Sequence, residues 1–185
     1  MPPARLRFYG RVLRAGGVLA YPTEAVYGLG CDPLSSAAVA RILILKQRPL
    51  RKGVILVAGE FDQLRDYLAP VDPGRLRTAT EVWPGPVTWL WPATSTTPYW
   101  LTGGTGRIAV RVSAHETVRA LCRAFGGAIV STSANRSGRP ATRTSHAARA
   151  CFGRELDGVV PGPLGGAAAP SEIRDLQTGR VLRGG

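Results

Sequence analysis

The chain is expected to adopt an α/β fold with a largely central sheet, on three observations. Apolar runs of strand length, Val18 to Tyr21, Val54 to Val57, Val87 to Trp91, Ile108 to Val112 and Ala128 to Ser131, recur along it. Between them lie segments whose apolar residues repeat at helical spacing, and prolines, glycines or polar turn residues bound most of the runs. Strands and helices intermix without alternating cleanly, so an all-parallel sheet is not demanded. At 185 residues and 44% hydrophobic content, the chain suits one compact domain that buries roughly 70% of its unfolded surface.

In chain order, Arg5 to Ala15 places Leu6, Tyr9, Val12 and Leu13 on one helical face, and Gly16-Gly17 supplies a C-terminal cap. Val18 to Tyr21 is a buried strand broken by Pro22. Ser35 or Ser36 caps a helix through Ala37 to Gln47 that turns Val39, Ile42, Leu43 and Leu45 mostly inward, and Pro49 stops it. Val54 to Val57 is the next strand. Phe61 to Val82 is helical in two pieces around Pro70 and Pro73. Pro84-Gly85-Pro86 then turns the chain into the strand Val87 to Trp91. Ile108 to Val112 precedes a helix from about Glu116 to Phe125. Ala128 to Ser131 is a strand ended by Thr132-Ser133-Ala134-Asn135, and Gly165 to Pro170 is a small flexible loop.

Several classes fall away. The longest apolar runs are far shorter than the ~20 residues of a membrane-spanning helix. The N-terminus, Met1 to Arg7, has no apolar run followed by a small-residue cleavage site, which points to the cytoplasm. Cys31, Cys122 and Cys151 form no C-x-x-C pair and are expected to be small core residues. His115 and His146 have no partner at metal-ligand spacing, so neither a metal site nor a disulfide framework is expected. There is no G-x-x-x-x-G-K-[ST] loop and no G-x-S-x-G elbow, and Gly28-Leu29-Gly30 lacks the third glycine of a dinucleotide fingerprint.

The formal charge is +12, and Lys46 and Lys52 are the only lysines among 24 basic residues. Genomic base composition would explain arginine over lysine but not the shortage of acids. Five basic residues and no acid lie between Pro33 and Gly59, and nine arginines face only Glu116 between Val82 and Arg154. That distribution predicts an electropositive face and an anionic partner such as nucleotide or RNA.

The candidate site residues sit at the ends of buried strands and helices, where open α/β sheets place ligands. Strand Val18 to Tyr21 leads into Pro22-Thr23-Glu24-Ala25-Val26-Tyr27-Gly28-Leu29-Gly30. The helix from Ala37 leads into Lys46-Gln47-Arg48-Pro49, and strand Ala128 to Ser131 into Ser133-Ala134-Asn135-Arg136-Ser137-Gly138. Singly, each has an ordinary explanation. Lys46 and Arg48 complement a helix dipole, Ser133 and Asn135 are turn formers, and Thr23 and Tyr27 fill a loop and the core. Arg111 is harder to explain away, because a charge in an apolar strand requires an anion.

Together these segments resemble the YrdC/TsaC family of threonylcarbamoyl-AMP synthases. The resemblance rests on Tyr21 to Gly30, the K-x-R-P of Lys46 to Pro49, Trp83-Pro84-Gly85-Pro86-Val87-Thr88, Ala109-Val110-Arg111-Val112 and Ser131 to Gly138, in that order. It continues through Pro170-Ser171-Glu172-Ile173-Arg174-Asp175 to Arg183-Gly184-Gly185, and so covers essentially the whole chain. It implies the short, single-domain form over residues 1–185: a twisted mixed β-sheet with flanking helices around a basic cleft.

The resemblance further implies that Lys46 and Arg48 handle nucleotide phosphates as the catalytic pair, with Ser133, Asn135 and, on weaker local similarity, Arg183 at the same ATP. Thr23, Thr88 and Ser171 would hold L-threonine, with Arg111 meeting a carboxylate or phosphate. The implied reaction condenses threonine, bicarbonate and ATP to threonylcarbamoyl-AMP and pyrophosphate, for a modification of tRNA beside the anticodon by a separate transferase complex. Magnesium would arrive with ATP, since no carboxylate cluster suggests a protein-built cage. Glu24 is left between assisting carbamate formation and a structural role. The rival reading is a non-enzymatic factor gripping tRNA or double-stranded RNA on a basic face. The uncharged set Thr23, Thr88, Ser133 and Asn135, which a phosphate grip does not need, speaks against it. A third reading, a carbamoyl-transfer domain of a larger protein, is disfavoured by the lack of appended segments.

Overall fold

A computed structural model describes residues 1–184. Helix α1 (Pro3–Arg14) starts two residues before the expected position because Pro3 occupies its first turn, where a missing N–H costs nothing. It ends as the glycines predict: Gly16 is left-handed (φ 78°), and the Gly16 and Gly17 amides donate to Leu13 and Val12 carbonyls at 2.9 Å. Strands β1 (Leu19–Pro22) and β2 (Tyr27–Gly30) follow as an antiparallel pair. Strand β2 was not anticipated, because its glycines weaken the strand signal. Gly30 is required by close approach: a Cβ there would lie 2.4 Å from the Val130 carbonyl and 2.7 Å from the Tyr21 ring.

Helix α2 (Ser36–Leu45) is capped by Ser35, whose Oγ accepts from the Ala38 amide at 3.3 Å. It stops at Leu45 rather than Gln47. Lys46 is its C-terminal cap, and Gln47 turns left-handed (φ 49°) so that the Arg48 amide returns to the Leu43 carbonyl at 2.9 Å. Strand β3 (Ile55–Ala58) comes next. The stretch expected to be helical in two pieces divides into a 3₁₀ segment, Phe61–Tyr67, and an α-helix, α3 (Pro73–Glu81), capped by Asp72. Then come β4 (Val87–Pro92), a one-turn helix α4 (Tyr99–Thr102), β5 (Arg107–Val112), α5 (Glu116–Phe125) and β6 (Ile129–Ser133). Strand β6 runs two residues beyond the expected end, which puts Ser133 on its last rung. Helix α6 (Ser145–Phe152) and strands β7 (Gly158–Val159), β8 (Glu172–Asp175) and β9 (Val181–Arg183) complete the described chain. These four, like α4, are short, and their sequences carry too few periods to announce them.

The strands form one mixed sheet in the order β7-β1-β2-β6-β3-β5-β4-β8-β9. The pairs β1/β7, β3/β5 and β4/β8 are parallel and the other five antiparallel. Side chains alternate between two layers. Ala20, Leu29, Leu56, Val110, Val130, Trp89 and Trp91 point into the larger core with Val39 and Ile42 of α2 and Phe152 of α6. Leu19, Tyr21, Val57 and Ile129 face the other way, onto Tyr9 and Leu13 of α1 and Val118 and Leu121 of α5. Cys31 and Cys122 are buried as expected, whereas Cys151, late on α6, is half-buried rather than a core residue. Among the described residues no helix is long and apolar enough to cross a membrane.

Candidate functional site

Helices α1 and α5 cover only part of the second sheet face, and a cavity of about 360 Å³ opens over the rest, within the usual range for small-molecule sites. The strands make room for it with small residues: Gly28 on β2, Ala109 on β5, and Ser131 and Ser133 on β6 line its floor. These positions alternate with Leu29, Val110 and Val130, which fill the opposite core. The register Gly28↔Ser133 and Ile55↔Ala109 brings the floor residues of four strands together. The segment Gly165 to Pro170 is not a free loop. Its Gly165 and Ala167 amides donate to the carbonyls of Thr23 and Glu24 at 3.0 Å, and Ala167, Ala169 and Pro170 wall the cavity.

Of the residues expected to bind ligand, six line the cavity: Thr23, Arg48, Arg111, Ser133, Ser171 and Arg183. The other three stand behind them. Lys46, 7% exposed, donates to the Ser133 carbonyl, to the Asn135 carbonyl at 3.1 Å and to Asn135 Oδ1 at 3.0 Å, with Ser133 Oγ at 3.4 Å. Ser133 Oγ donates to Asn135 Oδ1 at 2.6 Å, and Asn135 Nδ2 donates to the carbonyls of Arg136 and Arg139. Lys46 therefore ties the turn after β6 to the end of α2. Burial, and then the Arg48 charge, lowers its ammonium to about 8. Thr88 is fully buried, and its hydroxyl lies 2.8 Å from Ser171 Oγ, which reaches the cavity. The Thr23 hydroxyl donates to its own turn, at the Val26 carbonyl, 2.6 Å away.

The charge in the wall is uneven. Among the described residues, Arg48, Lys52, Arg111 and Arg183 line it against a single carboxylate, Glu24. That carboxylate is already engaged. Arg111 Nη1 lies 2.9 Å from Glu24 Oε2, with the two side chains 8% and 15% exposed. Ser113 Oγ donates to Oε1 at 2.6 Å. The Arg111 contact is an ion pair without the alignment of a hydrogen bond, so Oε2 accepts none. Burial pushes the Glu24 carboxyl upward, but the Arg111 charge and the Ser113 hydroxyl outweigh it and hold the group below its ordinary value. Arg111 thus finds its anion within the protein.

Among the described residues, the remaining cations have no acid opposite them in the wall. Arg48 donates to the Gly53 and Lys52 carbonyls at 3.1 Å, and Arg183 to the Ser171 carbonyl at 2.7 Å. Burial lowers Arg48, with a further contribution from the Arg183 charge. Arg183 is lowered by burial and then by Arg111. These groups face one another across a common space, an arrangement that an anion relieves. Sequence reasoning missed Lys52 as a cavity residue. Its signal was its position, one short 3₁₀ turn (Leu50–Lys52) beyond the K-x-R-P segment.

The Sua5/YciO/YrdC family model, whose description reads telomere recombination, matches residues 11–185. Threonylcarbamoyl-AMP synthase of Halorhodospira halophila is 52% identical over 181 residues, covering 98% of this chain and 95% of that protein. The protein of the same name from Nitrosococcus oceani is 52% identical over 182 residues, 98% of each chain. Among solved structures, P. abyssi Sua5 complexed with L-threonine superposes with a TM-score of 0.92 at 31% identity. That match covers 99% of this chain but only 54% of the P. abyssi chain. E. coli YciO matches with a TM-score of 0.84 at 26% identity, over 99% of this chain and 90% of the other.

Proposed function

The chain belongs to the Sua5/YciO/YrdC family, and from that membership we propose that it is a threonylcarbamoyl-AMP synthase, a nucleotidyltransferase acting on L-threonine, bicarbonate and ATP. The observation that carries this reading is the charge inventory of one cavity. Arg111 and Glu24 form a fixed pair of opposite charges in its wall. Arg48, Lys52 and Arg183 line the same cavity and, among the described residues, have no carboxylate of their own there. The first suits a zwitterionic amino acid and the second a polyphosphate.

In the proposed reaction the threonine amine combines with bicarbonate to give a carbamate and water. A carbamate oxygen then attacks the α-phosphorus of ATP, forming the P–O bond of the mixed anhydride as the bond to pyrophosphate breaks. Such a step demands alignment and stabilisation of negative charge more than a dedicated proton carrier. Arg48 and Arg183 meet the phosphates. Lys46 adds its charge from behind Ser133 and holds Ser133 and Asn135 in position for the nucleotide. Ser171, oriented by Thr88, faces the threonine side, where a hydrogen bond to the substrate hydroxyl would discriminate against valine far better than a pocket reads one methyl group against serine. Among the described residues no three His, Cys, Asp or Glu side chains come together at metal-binding distance. Magnesium would enter with ATP and neutralise phosphate charge there. The product goes to a tRNA-modifying transferase, and the setting is cytoplasmic.

Pyrophosphate release from the purified protein tests the proposal. With ATP, magnesium and bicarbonate present, release should require L-threonine and fall sharply with valine. Release independent of threonine or of bicarbonate would overturn it.

A further inference from the structure

A second concavity, about 820 Å³, lies outside the site, between α2 and the one-turn helix α4. Ala37, Ala40 and Ile44 run along one exposed face of α2 at i, i+3 and i+7, a trough of small residues closed by an apolar side chain. The opposite wall is Leu50, Tyr99 and Trp100. Ile44 is 75% exposed, Tyr99 63% and Leu50 38%. Leu34, 63% exposed, lies next to Pro33, whose carbonyl accepts the Trp100 indole N–H at 3.0 Å. The other large apolar residues of α2, Val39, Ile42, Leu43 and Leu45, are buried, so α2 has a second, uncovered apolar face. These side chains share one groove, a shape suited to an interaction site.

The groove's rim points to the occupant. Arg51 and Lys52 are exposed beside Leu50, and Arg48 lines both the groove and the catalytic cavity. No acid occurs between residues 33 and 59. A second copy of this chain would bring the same cations and a formal charge of +12 against them. RNA matches the charge but leaves the aliphatic trough of Ala37, Ala40, Ile44 and Leu50 unfilled. We propose that this groove docks an acidic amphipathic helix of a partner protein, its apolar face in the trough between α2 and α4 and its carboxylates over Arg51. Helix-in-groove recognition uses this geometry, with anchors at i, i+3, i+4 and i+7. Arg48 lines both concavities, so the docked helix lies beside the catalytic cavity.

The test uses a labelled synthetic peptide of about 18 residues, five helical turns, with leucine at i, i+3, i+4 and i+7 and glutamate elsewhere, and a scrambled peptide of the same composition. Fluorescence anisotropy against the full chain is expected to show saturable binding of the patterned peptide only. Ile44→Glu, at a position exposed enough to leave folding intact, should weaken it about tenfold or more. Arg51→Glu should weaken it and reduce its salt dependence. Equal binding of both peptides, or no effect of Ile44→Glu, overturns the proposal. So does a wild-type dimer that Ile44→Glu converts to monomer, or a single-stranded RNA oligomer that Ile44→Glu displaces.

Discussion

Removing the Glu24 carboxylate should unpair two buried groups at once. Arg111 Nη1 sits 2.9 Å from Oε2 with side chains 8% and 15% exposed, and the fully buried Ser113 gives its hydroxyl to Oε1 at 2.6 Å. Breaking a buried ion pair from one side costs about 3–5 kcal/mol, because the surviving charge is left without compensation. The cavity gives Arg111 some access to water, which places Glu24→Ala at the low end, about 3 kcal/mol. For a chain of this length about 1 kcal/mol moves Tm by about 2–4 °C, so the expected loss is about 6–12 °C. Glu24→Gln keeps a partner for Ser113 and should lose less. In a double-mutant cycle, Arg111→Met should be destabilising alone, while Glu24→Ala with Arg111→Met should be milder than the sum of the two by at least about 1 kcal/mol. The pH dependence has a definite sign. The Glu24 carboxyl is held below its ordinary value in the fold, so its contribution is complete above the unfolded value and lost as pH falls through the lower folded value. The gap between wild type and Glu24→Ala should therefore be level near neutral pH and shrink in acid below about pH 4.5. Circular-dichroism melts over a pH series measure all of this. A Tm shift under about 2 °C, an additive cycle or a gap that widens in acid would refute the reasoning.

Other outcomes follow from the same geometry. Lys46 is lowered to about 8, and kcat/KM reports groups of the free protein. The profile for pyrophosphate release should thus decline through about pH 8 as the ammonium loses its proton, and Lys46→Met should abolish that limb with at least about a tenfold loss in kcat/KM. Ser171→Ala removes a hydroxyl that faces the cavity and should raise KM for threonine with kcat nearly unchanged, the pattern of lost uniform binding. Ser171→Ala and Thr88→Val each delete the hydrogen bond between the two hydroxyls, so both should also lower stability by about 1 kcal/mol, visible as a lower Tm. Gly30→Ala, whose Cβ would meet backbone at 2.4 Å, should cost about 1–3 kcal/mol or prevent folding, read as loss of soluble protein or a lower Tm. Gly28→Ala, where the nearest atoms are 3.3–3.5 Å away, should fold but fill part of the cavity floor and weaken threonine binding in calorimetry.

Much of the central sheet and its principal helices was legible because their residues carry strong local signals. Strands β1, β3, β4 and β5 are runs of apolar residues, and α1 and α2 are bounded by proline, serine and glycine signals whose physics is local. Elements that lack such signals were missed. Tyr27–Gly30 reads as a glycine-rich turn until β1 and β6 flank it, and Gly158–Val159 is a strand only because β1 lies beside it.

The site divides in the same way. Its residue types were written in the chain: Arg111 inside an apolar strand had to find an anion, and the segments at Thr23, Lys46 and Ser133 stood where strands and helices end. What the chain did not reveal was which of them face a ligand. Alternation along β4 and β5 decides that Trp89 and Val110 enter the core while Arg111 turns to the cavity, and pairing with β8 brings Ser171 over Thr88. Glu24, left open by the sequence, became the partner of Arg111 through a contact spanning 87 residues. Lys46, expected at phosphates, is enclosed by oxygens of Ser133 and Asn135. The sequence by itself determined the local elements, the charge and the chemical inventory, because propensity, capping and side-chain chemistry act over a few residues. Only the tertiary structure decided orientation and pairing, because burial and Coulomb energy depend on distances that close when nine strands meet in one sheet.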